Sequence, residues 1–377
     1  MNDKLKNATL AALALASLTL AQTGFAESAK PNPSWTDEVK IKGDARFRYE
    51  TINEDGKDSR NRARIRARIG AFVSPTEELD LGVQFSTSEN NDPVSSNQTL
   101  GDGGSRKEAY FDLAYLDFHP DALPGLRAVL GKMKLPFVQP SDLIFDGDYH
   151  PEGAAVNYTW GKDVQVLLNG ANVWIEERSS ADETTMAGIQ AAIRFQSEDR
   201  SFLQAGIARY QYQNMEGFAP VFDEAKGAKG NSMRKVTSGN STSLVYATDF
   251  AISEIFVDAW KNASIPYGVY AQYAFNDEAD ADNTAYLVGL KIGKAKDPGS
   301  FDFNYNWRHV EKDSVVGQLT DSDSFGGGTD GEGHRFSLGY QVAKNLKATV
   351  TYFLNTQHIS GDESDYNRLQ VDFAATF

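Results

Sequence analysis

The stretch RNRARIRARIGAFV (60–73) carries arginine at 60, 62, 64, 66 and 68, with Ala63, Ile65, Ala67, Ile69, Ala71 and Val73 on the other parity. A period of two belongs to a β-strand, whose successive side chains point to opposite faces. The same alternation recurs through the chain. In 39–51, Val39, Ile41, Ala45, Phe47, Tyr49 and Thr51 share one parity, while Lys40, Lys42, Asp44, Arg46, Arg48 and Glu50 hold the other. Phe301, Phe303, Tyr305 and Trp307 alternate with Asp302, Asn304, Asn306 and Arg308, and the chain ends on Leu369, Val371, Phe373, Ala375 and Phe377 against Gln370, Asp372, Ala374 and Thr376. Many such segments run 10–14 residues. Soluble strands are usually ~5–6 residues, whereas a tilted strand crossing a bilayer needs ~9–11. Length therefore favours an all-β transmembrane antiparallel barrel over a soluble sandwich.

Sixteen segments fit this description: 38–52, 60–73, 79–88, 107–118, 126–134, 153–160, 163–176, 184–196, 201–213, 241–261, 265–276, 284–293, 300–311, 333–343, 346–357 and 366–377. Short connections such as SPTEE (74–78), GKD (161–163) and AKN (343–345) alternate with long ones at 89–106, 135–152, 214–240 and 312–332. Short periplasmic turns and longer extracellular loops are the outer-membrane pattern, and an even count puts both termini on the periplasmic side. Asp112 and Asp117 break parity in the fourth segment, and the seventh and ninth are expected to change phase midway, as bulges would make them. Trp160, Tyr305, Trp307, Tyr352 and Phe373 are expected on the outward face, those near strand ends in interfacial girdles.

Composition narrows the classes. A mean hydropathy of −0.46 leaves no room for a helical membrane bundle, yet a barrel survives it, since lipid-facing and lumen-facing residues cancel in the average. The absence of cysteine excludes disulfides and thiolate metal sites. A net charge of −15 argues against nucleic acid as a partner. Residues 1–26 have the layout of an export signal: Lys4 and Lys6, an apolar run from Ala8 to Ala21, then Gly24 and Ala26 before the cleavage point. Residues 27–37 form a polar, proline-containing leader on the periplasmic side, and 38–377 the barrel.

The arginine ladder sets the inside of the wall. Facing lipid, each midplane arginine would cost roughly 2–4 kcal/mol, so three or four would cost on the order of 10 kcal/mol. Arg62, Arg64, Arg66 and Arg68 therefore face the lumen. A turn near 55–57 pairs even positions with even positions. If paired numbers sum to 112, Arg48 meets Arg64, Arg46 meets Arg66, Asp44 meets Arg68 and Glu50 meets Arg62; sums of 110 or 114 still leave two Arg–Arg pairs. Like charges directly opposite destabilise a sheet, so something acidic is needed beside them. The expected source is the loop LPFVQPSDLIFDGDYHPE (135–152), with Asp142, Asp146, Asp148 and Glu152. Its proline and its Leu143, Ile144 and Phe145 suit a loop folded against the barrel wall. A basic wall facing an acidic loop would orient dipolar solutes and sort ions at a constriction; structural pairing of the same charges is the plainer alternative.

The stretch EAYFDLAYLDFHPDALPGLRAVLGKMKLPFVQPSDLIFDGDYHPEGAAVNYTW (108–160) resembles the corresponding region of the putative porins of Gram-negative outer membranes. The terminal Phe377, after alternating apolar residues, is similar to the signature by which the barrel-assembly machinery recognises its clients. The resemblance implies a water-filled channel for passive diffusion of small hydrophilic solutes and ions, a homotrimer in lipid and lipopolysaccharide, no cofactor and no enzymatic activity. It matches Asp142, Asp146, Asp148 and Glu152 to the acidic constriction loop and Arg62 to Arg68 to the basic wall, to which the hairpin pairing adds Arg46 and Arg48. The PEFGG-type sequence of general porins is absent, and PEGA (151–154) closes the loop instead.

Other motifs stay at background. His119, His150, His309, His334 and His358 lack metal-ligand spacing. GDGG (101–104) and GGG (326–328) lack a phosphate-loop ending. The acidic runs 276–283, 321–323 and 362–365 have no complete calcium-loop pattern and are expected to be solvated loop tips. A barrel enzyme would need convergent catalytic groups, and an adhesin or envelope anchor would display the loops 214–240 and 312–332.

Overall fold

The computed structural model describes residues 38–222, 227–238 and 241–377; the expected export signal (1–26) and leader (27–37) lie outside the described residues. In chain order the strands are β1 Lys40–Glu54, β2 Arg60–Thr76, β3 Leu79–Thr87, β4 Gln98–Thr99, β5 Ala109–Phe118, β6 Leu126–Lys132 and β7 Glu152–Trp160. They continue with β8 Val164–Glu176, β9 Thr184–Gln196, β10 Phe202–Gln213, β11 Met233–Ser238, β12 Ser241–Tyr246 and β13 Ala251–Lys261. The last six are β14 Tyr267–Asn276, β15 Thr284–Gly293, β16 Phe301–Val310, β17 Gly331–Ala343, β18 Leu346–Gln357 and β19 Ser364–Thr376.

All but the β11–β12 hairpin belong to one antiparallel sheet, and β1 closes it on β19, from Asp44 opposite Thr376 to Glu54 opposite Tyr366. The two-residue β4 only extends the ladder on β2 beyond the end of β3, so sixteen strands make up the wall. Closure leaves no strand edge, which in hydrocarbon would carry unpaired N–H and C=O groups at several kcal/mol each. Parity sorts the two faces as the sequence predicts: Ile207 is 60% exposed on the outside, while Gln204 is 1% exposed inside. Trp160, Tyr352 and Phe373 are exposed outward. Tyr305 and Trp307 share that face, half-buried against Phe336 and Tyr286.

Three expectations need correction. The single strand 241–261 is two: residues 247–250 leave the ladder, and the Asp249 carboxylate accepts the N–H groups of Met215 and Glu216 at 3.0 and 2.8 Å. This turns the chain from the β11–β12 loop hairpin into the wall. The expected parity break in β5 is present and is a bulge, with Gln84 opposite Leu113 and Phe85 opposite Phe111, so that Asp112 is the inserted residue. By contrast, β10 keeps one register along both neighbours. Its Tyr210 and Tyr212 point inward, where they are buried against loops rather than bathed in water. In β8 the register shifts only at Ile175, near its end.

The last correction concerns the loops. The 133–151 segment folds into the barrel as expected, with Leu143, Ile144 and Phe145 at most 2% exposed. The 311–330 segment, expected to project outward, folds in beside it: Val315, Val316 and Leu319 are equally buried. These residues pack with Met186, Tyr210, Tyr212, Ile252 and Leu287 of the inner wall. Each apolar side chain removed from water contributes roughly 1.5–3 kcal/mol, which offsets the cost of ordering two long loops.

Candidate functional site

The barrel interior is divided. Along β8–β15 the inner wall is largely apolar and holds the loop core. Along β16–β19, β1 and β2 it is lined with arginine. The β1–β2 register is the one in which paired numbers sum to 112: Arg46 faces Arg66, Arg48 faces Arg64, Asp44 faces Arg68 and Glu50 faces Arg62.

Wall carboxylates separate the like charges. On the other side of β1, Asp372 of β19 lies opposite Arg48 and accepts from its Nε at 2.7 Å and Nη2 at 2.8 Å, a bidentate pair. Asp44 accepts from the Nε atoms of Arg66 at 2.9 Å and Arg68 at 2.7 Å. Glu50, fully buried, accepts from Arg62 and from Arg368 of β19, whose Nε stands 3.0 Å away. A buried ion pair holds only when both charges find hydrogen bonds, and here strand register supplies most of them.

The loops add a second layer of carboxylates. Asp148 is 3.5 Å from Arg68 and 3.8 Å from Arg66, and accepts from the Ser96 hydroxyl at 2.6 Å. Burial opposes its charge, but Arg66, Ser96 and Arg68 hold its carboxyl below the ordinary value. Asp142 lies elsewhere, bonded to Arg308 of β16 at 2.6 Å and to Arg335 of β17 at 2.9 Å. Asp146 meets no arginine: it accepts the Ser322 N–H at 2.9 Å. Burial, then Asp148 and Asp321, push its carboxyl well above the ordinary range. Glu152 is not part of the loop at all. It opens β7 on the outward face, where it meets Lys132 at 3.0 Å.

Of the expected acidic residues, then, only Asp148 touches the ladder. The others at work come from the 311–330 loop, whose acidic run 321–323 is buried rather than a solvated tip. Asp323 meets Arg368 at 2.9 Å and Arg48 at 3.3 Å, and Asp321 meets Arg308 at 2.8 Å. Despite burial, Arg368 and Arg48 hold the Asp323 carboxyl well below its usual range. Arg308 stood on the inward parity of its segment in the sequence; Arg335 and Arg368 hold the same face of theirs, and the height of all three along the wall depends on strand register.

Docking of the 133–151 loop has a specific requirement. A Cβ at Gly188 would stand 2.4 Å from Cζ of Phe137, so the ring fits only over a glycine. Gln190 clasps the next residue, accepting the Val138 N–H at 2.7 Å and donating to its carbonyl at 2.9 Å. At the chain end, Phe377 exchanges backbone hydrogen bonds with Gly43 at 3.0 and 3.1 Å, and its ring covers that glycine. The five histidines stand apart, beside Asp80, Asp112, Glu332, Tyr305 and Asp330 respectively for His119, His150, His309, His334 and His358. Among the described residues no group of three or more His, Asp or Glu side chains is placed to hold a metal ion.

A profile of the family described as "Putative porin" matches residues 52–245 and 240–377. No curated protein matches the chain. Among solved structures, the high-pH structure of OprB from Pseudomonas putida superposes with a TM-score of 0.61, covering 91% of this chain and 95% of that one at 10% identity. OmpF of Salmonella typhi, in complex with daunomycin, gives 0.54 over 91% and 99% at 11% identity. The trimer form of OmpT from Vibrio cholerae gives 0.51 over 90% and 100% at 15% identity. At such identities the likeness is one of fold, whereas the profile spans nearly the whole barrel. The chain belongs to the putative porin family of outer-membrane barrel proteins.

Proposed function

We propose that this protein is a passive outer-membrane channel for small hydrophilic solutes and ions, with passage confined to the arginine-lined side of the barrel. The observation that carries this reading is the division of the interior. Two inward loops fill the side of β8–β15 with apolar packing, and charged groups are left to line the side of β16–β19, β1 and β2. In that reading Arg46, Arg48, Arg62, Arg64, Arg66 and Arg68 form the basic face of a constriction, and Asp142, Asp148 and Asp323 its acidic face. A transverse field between them aligns dipolar solutes and disfavours apolar ones. Export through the periplasm follows cleavage after residue 26, insertion follows recognition of Phe377 by the assembly machinery, and three copies assemble in lipid and lipopolysaccharide. The trimer form of a structural neighbour supports that number. Planar-bilayer recording tests the reading: purified protein is expected to give stepwise current increments, and a membrane that stays silent after natively extracted protein is added overturns it.

A further inference from the structure

On the long-loop side of the ladder lies a cavity of about 620 Å³, bordered by Arg60, Arg62, Arg64, Lys229, Arg368 and the glycines 326–328. Its cations are unequally satisfied. Arg62 and Arg368 are held by Glu50. The Arg64 side chain donates no hydrogen bond to any described residue. Its nearest carboxylate oxygens, on Glu50 and Glu89, stand 3.8 and 3.7 Å away, and its Nε is a buried donor without an acceptor. The side chain is 8% exposed, so bulk water does not compensate. Arg60 and Lys229 make no ion pair among the described residues; of the acids bordering the cavity, Glu54 pairs with Lys57, Glu89 accepts from the Thr99 hydroxyl and Asp323 holds Arg48 and Arg368, and Asp58 and Asp92 lie on the same border.

A guanidinium presents five donors in a planar fork that matches a carboxylate or phosphate. Buried polar groups are normally paired, and this one faces a space within the range of small-molecule sites. We infer that the cavity binds a small organic anion, whose carboxylate or phosphate docks on Arg64 with Arg60 and Lys229 completing the charge. This deepens the channel reading and rests on it: the bound anion would be a solute held at the outer mouth.

Single-channel recording with citrate, glucose 6-phosphate or neutral glucose added on the long-loop side tests the site and separates the two oxyanions. Anions are expected to produce discrete blockages that glucose does not. Arg64→Gln should shorten them at least tenfold, Arg64→Lys should restore part of the dwell time, and the exposed Arg60→Gln should weaken block without touching the buried wall. Equal block by glucose and both anions, or unchanged dwell times in Arg64→Gln, overturns the site while leaving the channel intact. Should the protein fail to conduct, the channel reading falls, and calorimetric titration of citrate into the detergent-solubilised protein decides the site alone. Saturable heat lost in Arg64→Gln supports it, and no heat in the unaltered protein overturns it.

Discussion

Arg48 and Arg64 face each other across the first hairpin, yet their surroundings differ: Arg48 is bidentate on Asp372, while Arg64 reaches Glu50 only at 3.8 Å. One register thus produces both a satisfied structural arginine and an unsatisfied one at the same level of the wall. Glu50, shared by Arg62, Arg64 and Arg368, is the hinge of this arrangement. Glu50→Gln keeps the shape but leaves three guanidinium groups short of charge. Removing one partner of a buried pair costs about 3–5 kcal/mol, so the urea midpoint of the refolded protein should fall markedly; an unchanged midpoint would show that the wall arginines do not depend on it.

On the channel reading proposed above, the arginines also set the sign of what passes. With Arg64 and Arg66 both replaced by serine, the wall loses two positive charges, and Glu89 and Asp148 each lose one nearby cation. Reversal potential in asymmetric salt should then shift toward cations, with altered single-channel conductance. No shift would remove these two positions from the constriction.

Loop docking should be separable from barrel closure. Gly188→Val places carbon where the Phe137 ring lies, and overpacking of this kind costs about 1–3 kcal/mol. Limited proteolysis is expected to open the 133–151 loop in this variant, and Phe137→Ala in the same chain should restore protection. Resistance equal to that of the unaltered protein would mean that the loop is held elsewhere.

Asp146 and Asp323 predict opposite responses to pH. The raised Asp146 carboxyl holds its proton more tightly folded than unfolded. Its contribution to stability is full below the ordinary carboxylate pKa of about 4 and is lost as pH rises through the folded value. The lowered Asp323 carboxyl contributes above about 4 and loses that contribution on acidification through its folded value. Asp146→Asn should therefore flatten the decline in urea midpoint between pH 5 and pH 8. An identical slope in variant and parent would contradict the placement of Asp146 among like charges.

Much of this was legible in the residues. Alternation identified the wall, its two faces and nearly every strand, because lipid outside and polar groups inside leave period two no freedom. The short turn of the first hairpin gave even positions facing even positions, while the choice of 112 among the neighbouring sums came from the ladder itself. What stayed hidden depends on contacts distant in sequence. Val173, Ile175, Tyr210 and Tyr212 looked like phase changes because apolar residues on an inner face make sense only once loops are known to cover them. The 321–323 run looked solvated because its partners Arg308, Arg48 and Arg368 come from strands separated in the chain. The Ser241–Lys261 strand looked continuous because residues 247–250 interrupt it through a side-chain contact of Asp249.

The central claim is that the even-numbered face of β2 lines the path of the solute while the odd-numbered face meets lipid. The natural absence of cysteine allows a direct test with Arg66→Cys and Ile65→Cys, each exposed to a charged, membrane-impermeant thiol reagent during bilayer recording. Arg66→Cys should give a stepwise fall in current and Ile65→Cys none. Current unaffected at position 66, or reduced at position 65 instead, would contradict it.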